Sequence, residues 1–195
     1  NPPSIDLPIP PLVVGGPHAS LMPHTIPESV DYIVTGEGEL PMLELVEGLI
    51  PENRIINNSI SGRIRALDEM PFPNYEHFIN MPYNWKFDMY GIEDTPIFTM
   101  HTSRSCPYRC SFCGVAAIWT RKWTSFSAER IVKEIDLYVE KYGCKGIYFR
   151  EDLFTTDMRR VENMCDLLLQ REYKIKWACE ARADITNPAI LEKMS

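Results

Sequence analysis

Apolar residues along this chain fall first into short runs stopped by glycine, and later into two longer helical stripes. Leu12-Val13-Val14 closes on Gly15-Gly16, and Val30-Asp31-Tyr32-Ile33-Val34 closes on Gly36-Glu37-Gly38-Glu39. Runs this short, bounded by glycine, suit buried strands that open into loops. Pro41 then sits early in a helical pattern with Leu43, Val46, Leu49 and Ile50 on one face, since residues three and four apart share a side of a helix. Strand, loop, strand, glycine turn and helix predict an open parallel α/β sheet, whose ligands sit at the carboxyl ends of the strands. Both glycine pairs fall at such ends. Arg54 to Arg65, with Asn57-Asn58 and Gly62 as turn formers, predicts a small hairpin.

Between Ala66 and Pro96 the pattern breaks. Pro71, Pro73, Pro82 and Pro96 interrupt any long element, and Phe72, Tyr75, Phe78, Tyr83, Trp85 and Phe87 crowd between them. So many aromatics predict an ordered linker packed against its neighbours. Periodicity then resumes. Ile97 to His101 reads as a strand. Ser127 caps a helix with Ile131, Ile135, Val139 and Tyr142 inward, ended by Gly143. Gly146-Ile147-Tyr148-Phe149 is a strand ending at Arg150-Glu151-Asp152. Asp157 caps a second helix with Val161, Met164, Leu167 and Leu168 inward, and Ile175, Trp177, Cys179 and Ala181 alternate along a third strand. Repeated strand–helix units predict part of a parallel β/α barrel with its chemistry at the carboxyl ends of the strands. The domain expectation is therefore residues 1–65, a linker at 66–96, and three β/α units at 97–195.

Composition narrows the class. With 45% hydrophobic and 24% charged residues the chain reads as a folded protein, and a formal net charge of −7 argues against a broad nucleic-acid surface. No apolar run reaches the roughly 18 residues that span a bilayer. The chain starts at Asn1 without an initiator methionine and stops at Ser195 within a helical pattern, so a fragment of a longer protein is expected. All six cysteines lie in the second half, unlike a secreted disulfide framework; a reducing cytoplasm is the expected location.

Three of those cysteines carry the chemistry: Cys106-Pro-Tyr-Arg-Cys110-Ser-Phe-Cys113. Thiolates this close pair poorly with one another but can point into one small volume. Structural zinc wants four ligands, often two CxxC knuckles, and no second knuckle exists. An iron–sulfur cube also takes four thiolates, and three leave one iron open to a substrate or cofactor. Cys144, Cys165 and Cys179 sit singly in strand or helix patterns, as small buried hydrophobes do. His18 and His24 read as loop or surface histidines. Arg121-Lys122 between Trp119 and Trp123 reads as a short loop covering the cysteine site.

A strand running into a CxxxCxxC loop at the opening of a β/α barrel resembles the radical S-adenosylmethionine superfamily, over about Ile97 to Ser195. The resemblance implies a 4Fe–4S cluster on Cys106, Cys110 and Cys113, whose unique iron chelates S-adenosylmethionine. It places Phe112 near the adenine. The stretch Phe149-Arg150-Glu151-Asp152-Leu153-Phe154-Thr155 looks like the second-strand motif, with Glu151 and Asp152 near the methionine amino group. Within Trp177 to Asp184, Arg182 becomes a cofactor or substrate contact, against the plainer alternative of an ion pair with Asp184 or Glu180. The N-terminal segments Val13 to His18 and Asp31 to Glu39 resemble the end of a cobalamin-binding domain, and Leu67 to Pro73 the segment that joins it to the barrel. Gly15, Gly16, Gly36, Glu37 and Gly38 would then touch cobalamin.

The implied fold class is α/β: the C-terminal part of a Rossmann-like cobalamin-binding domain followed by a partial parallel radical S-adenosylmethionine barrel. The implied activity is reductive cleavage of S-adenosylmethionine to a 5′-deoxyadenosyl radical, with cobalamin-dependent methyl transfer to carbon or phosphorus. Cyclisation or another rearrangement is the runner-up. Transfer-RNA methylthiotransferase chemistry fits less well, because those enzymes hold a second cluster on N-terminal cysteines and none precedes Cys106 here. A rival of another class is a non-catalytic iron–sulfur or zinc module. Expected partners are a small-molecule or peptide substrate and a flavodoxin- or ferredoxin-type electron donor. Residues 1–195 alone are expected to turn over weakly or not at all.

Overall fold

The computed structural model describes residues 10–49, 51–57, 64, 66–82, 96–119, 121–185 and 188–195. They form two compact units, one from Asn1–Arg65 and Cys110–Thr120, the other from Ala66–Arg109 and Arg121–Ser195. Both are α/β with parallel sheets, and neither sheet closes into a barrel.

In the first unit, strands β1 (Val13–Val14), β2 (Tyr32–Thr35) and β3 (Ile55–Asn57) form a parallel sheet in chain order. Helix α1 (Pro17–Leu21) follows β1, where proline at its first position suits the fixed φ of a helix start. Helix α2 (Glu39–Val46) joins β2 to β3. Ala19, Val30 and Ile33 form a small core, with Val14 and Ile26 packed against it. Two expectations need correction here. Ile55–Asn57 pairs parallel to β2 through Ile33, Val34 and Thr35, so Asn57 belongs to a third sheet strand rather than a turn, and residues 58–63 and 65 of the expected hairpin lie outside the described residues. In α2 the inward residues are Pro41 and Glu44, whereas Leu43, Val46 and Leu49 are exposed. Spacing identified which residues share a face, but that face is not the one turned to the sheet. Ile50 lies outside the described residues.

The second unit follows its predicted order closely. Strands β4 (Ile97–Met100), β7 (Gly146–Phe149) and β8 (Lys176–Cys179) form a parallel sheet. All four residues of the central strand β7 are buried, as expected for a parallel strand covered on both faces. Between β4 and β7 the chain makes a two-stranded antiparallel ladder, β5 (Ser103–Arg104) against β6 (Thr124–Ser125), with helix α3 (Val115–Trp119) in the intervening loop. Helix α4 (Ala128–Tyr142) starts with the Ser127 hydroxyl accepting from the Arg130 N–H and stops at Gly143, whose φ of 65° suits glycine. Helix α5 (Met158–Leu169) is capped by Asp157, which accepts from the Arg159 and Arg160 N–H groups. Helix α6 (Pro188–Met194) ends the chain.

The core of this unit gathers Phe98, Met100, Ile131, Ile135, Tyr138, Ile147, Phe149, Phe154, Val161 and Met164. Part of the proline-rich segment is tied to it. Tyr75 sets its ring edge against Phe98 at 5.0 Å, and Asp68 accepts from the Ser127 N–H at 2.8 Å. Phe72 and Phe78 stay exposed, contrary to the expectation of general burial, although the Arg130 guanidinium lies 3.7 Å from the Phe72 ring centroid. Tyr83, Trp85 and Phe87 lie outside the described residues. No helix among the described residues is long and apolar enough to cross a membrane.

Candidate functional site

Sheet register brings three strand ends level: Met100 pairs with Phe149, and Phe149 with Cys179. The residues that follow each end therefore share one rim of the second unit. After β4 come Thr102 and the ladder; after β7 come Glu151 and Asp152; after β8 come Glu180 to Asp184.

Thr102, fully buried, is the hub of this rim. Its N–H donates to Glu151 Oε1 at 2.9 Å, and its carbonyl accepts from the Phe126 N–H at 2.8 Å. The Thr102 and Ser103 hydroxyls both donate to the Glu151 carboxylate. Ser105 follows, buried, with a φ of 71°. A non-glycine residue in that left-handed region costs about 1–3 kcal/mol and persists only where its surroundings hold it. The turn delivers the chain directly into Cys106.

Cys106, Cys110 and Cys113 form no disulfide; the first two are half-buried and the third is exposed. The Cys113 N–H donates to the Cys110 carbonyl at 3.1 Å, closing a turn just before α3. Cys106 belongs to the second unit, and Cys110 and Cys113 to the first. Among the described residues, no group of three His, Cys, Asp or Glu side chains is arranged to hold a metal ion. The fit to an iron–sulfur centre is thus one of donor chemistry: three thiols outside any disulfide within eight residues, soft ligands of the kind iron–sulfur clusters take. The remaining cysteines contrast with them. Burial pushes the Cys144 thiol up to about 11 and the Cys179 thiol up to about 12, so both stay protonated near neutrality. Cys165 is raised for the same reason.

The acidic pair at the end of β7 divides. Glu151 is buried with both oxygens committed to Thr102 and Ser103, and Arg160 lies 3.6 Å away. Asp152 is exposed; local desolvation holds its carboxyl above the usual range, Glu151 adds to this, and His101 opposes it. Arg182 pairs with Asp184 through two contacts of 2.9 and 2.6 Å, and its guanidinium sits 4.3 Å from the Tyr108 ring centroid. Tyr108 lies between the first two cysteines of the motif. Glu180 instead accepts from the Tyr148 hydroxyl at 2.6 Å. Phe112 is 91% exposed, leaving its ring faces open to a planar partner. Arg121 and Lys122 are exposed and Trp123 is half-buried.

In the first unit, Gly15 and Gly16 join β1 to α1, and Gly16 adopts a φ of 94°. Gly36, at φ 82° after β2, donates its N–H to the Ser20 hydroxyl at 2.9 Å. Glu37 is half-buried and Gly38 precedes α2. His18 lies in α1, with its Nε2 2.8 Å from the Thr25 hydroxyl. His24 sits in a short 3₁₀ turn.

Thr102, Ser103, Tyr108 and Arg160 were not singled out from the sequence. One signal was available for Arg160, a cation four residues before Met164 on the inward stripe of α5. Such a charge must find partners.

No family model matches the chain. It is 30% identical to an uncharacterized methyltransferase of Pyrococcus horikoshii, over 94% of this chain and 42% of that protein. It is 26% identical to the hopanoid C-2 methylase of Rhodopseudomonas palustris, over 94% of this chain and 34% of the relative. Identity to the anaerobic magnesium-protoporphyrin IX monomethyl ester cyclase of Cereibacter sphaeroides is 24%, over 87% and 30%. These relatives are methyltransferases and a cyclase by name, and they are consistent with the radical S-adenosylmethionine resemblance of the sequence. The chain spans less than half the length of each of these relatives. All three matches run through both units, so the kinship is not confined to the cysteine motif.

Proposed function

We propose that the protein containing this chain is a radical S-adenosylmethionine methyltransferase with Cys106, Cys110 and Cys113 as ligands of a 4Fe–4S cluster. The observation that carries this reading is the 30% identity to a methyltransferase across nearly the whole chain, joined to a CxxxCxxC segment that follows, in sequence, the rim strand β4. When bound, the cluster would supply the electron that cleaves S-adenosylmethionine to methionine and a 5′-deoxyadenosyl radical, with cobalamin carrying the methyl group. The chain's own part is to bind and orient. Phe112 offers an open ring to the adenine. Asp152 and Arg182 offer charge to the amino and carboxylate groups of the methionine moiety, while Glu151 supports the rim from below. Gly15, Gly16, Gly36, Glu37 and Gly38 would border cobalamin, where absent side chains let a flat macrocycle approach.

Methyl transfer to an unactivated carbon or phosphorus of a small molecule or peptide is the favoured outcome. Cyclisation is kept as a second reading because one relative bears that name. A flavodoxin- or ferredoxin-type donor and a cytoplasmic setting complete the proposal. Anaerobic reconstitution of the full-length protein tests it. Iron and sulfide near a full cube per chain are expected, with 5′-deoxyadenosine released under reductant and both lost in Cys106→Ala. One bound zinc and no cleavage would overturn it.

A further inference from the structure

Thr102 and Ser103, four and three residues before Cys106, are held by a buried ion pair. Glu151, from the end of β7, takes the Thr102 N–H and both hydroxyls. Arg160, from the first turn of α5, donates through Nη1 to the Thr102 carbonyl and hydroxyl, each at 3.0 Å, and through Nη2 to the Phe154 carbonyl at 3.0 Å. Their side chains are 0% and 5% exposed. Burying such a pair brings little net stability compared with apolar residues of similar size.

The neighbouring ladder is short. β5 and β6 pair over only two residues each, and an isolated two-stranded ladder is marginal in water. Yet this ladder closes the mouth of the segment that carries all three cysteines. Thr102 also accepts the Phe126 N–H, so whatever holds Thr102 holds both sides of that mouth. Arginine's planar fork reaches carbonyl, hydroxyl and carboxylate together, which lysine's single ammonium cannot do.

We propose that Glu151 and Arg160 form a clamp that positions the cysteine loop, so that Glu151 serves the metal centre by orienting the chain before Cys106 rather than by touching a cofactor. This rests on the cluster reading above for its function, but the clamp itself can be tested without metal. Arg160→Lys keeps the charge but loses the planar fork, and Glu151→Gln keeps the shape but loses the charge; both are made in the full-length protein. In metal-free protein, amide hydrogen exchange should rise ~10-fold across residues 102–106 and 124–126 while residues 131–139 of α4 stay unchanged. In reconstituted protein, iron should pass to a chelator ~10-fold faster than from wild type, at the low end of the effect of removing outer-shell support, and the electron paramagnetic resonance signal of the reduced cluster should change shape. Unchanged local exchange, or exchange that rises equally in α4, overturns the clamp. Wild-type iron retention and spectrum in both variants would also overturn its role at the metal. If wild type itself takes up no iron, the cluster reading falls and the exchange measurement alone decides the clamp.

Discussion

Six cysteines in one chain behave as two chemical populations. Thiolate is the reactive and metal-binding form, and burial opposes it in Cys144, Cys165 and Cys179. Cys113 is exposed and Cys106 and Cys110 are half-buried. In metal-free protein at pH 8, iodoacetamide followed by peptide mass spectrometry should label those three. Cys144 and Cys179 should react at least ~10-fold more slowly, since thiolate fraction falls about tenfold per pH unit below the pKa. Comparable labelling of all six would contradict the structure. The triplet was legible in the sequence because its spacing is local. Glu151 was legible only as a carboxylate at a strand end, because its partners Thr102 and Ser103 lie 49 and 48 residues away. Arg160 reaches Thr102 across 58 residues. No spacing rule reports such contacts.

Elements were readable wherever their signals were local as well. Helix α4 has its serine cap, its inward stripe and its terminal glycine in the sequence, and the structure uses all three. The reading failed at β3, where Asn57-Asn58 looks like a turn but Ile55–Asn57 completes a parallel sheet; strand partnership is a tertiary choice. One tie between elements invites a direct measurement. Asp136 of α4 receives two Arg171 contacts at 2.9 Å and the Tyr173 hydroxyl at 2.6 Å, linking α4 to the turn before β8. Burial alone would raise the Asp136 carboxyl, but these donors outweigh it and hold the group below its usual range. A carboxyl depressed on folding stabilises above its unfolded pKa and loses that contribution as pH falls through the folded value. Asp136→Asn should therefore cost about 1 kcal/mol at pH 7, a figure held down by partial exposure. The difference from wild type in thermal unfolding should shrink below about pH 4. A gap that stays constant down to pH 2 would mean the charge contributes nothing.

At the scale of the whole molecule, the two units bury their apolar residues to different degrees. The second has a contiguous core spanning its sheet and helices, whereas among the described residues of the first the buried apolar side chains, besides Pro41, are Ala19, Val30, Ile33, Val34 and Ile56. On α2 of the first unit Leu43 is 52% exposed and Val46 80% exposed, with Met42 and Leu49 beside them. Large apolar side chains left exposed together promote association. Polar substitution at exposed positions usually changes stability by less than ~0.5 kcal/mol, whereas a charge placed in a covered apolar site costs several-fold more. Leu43→Lys together with Val46→Glu discriminates these cases. In the 195-residue chain the pair should leave the thermal midpoint within about 2 °C of wild type and reduce concentration-dependent association in sedimentation velocity. The same pair in the full-length protein reads how that face is used there: an unchanged midpoint leaves it open to solvent, and a drop of several degrees means that α2 is covered. Loss of stability already in the short chain would show that Leu43 and Val46 are packed, contrary to the structure described here.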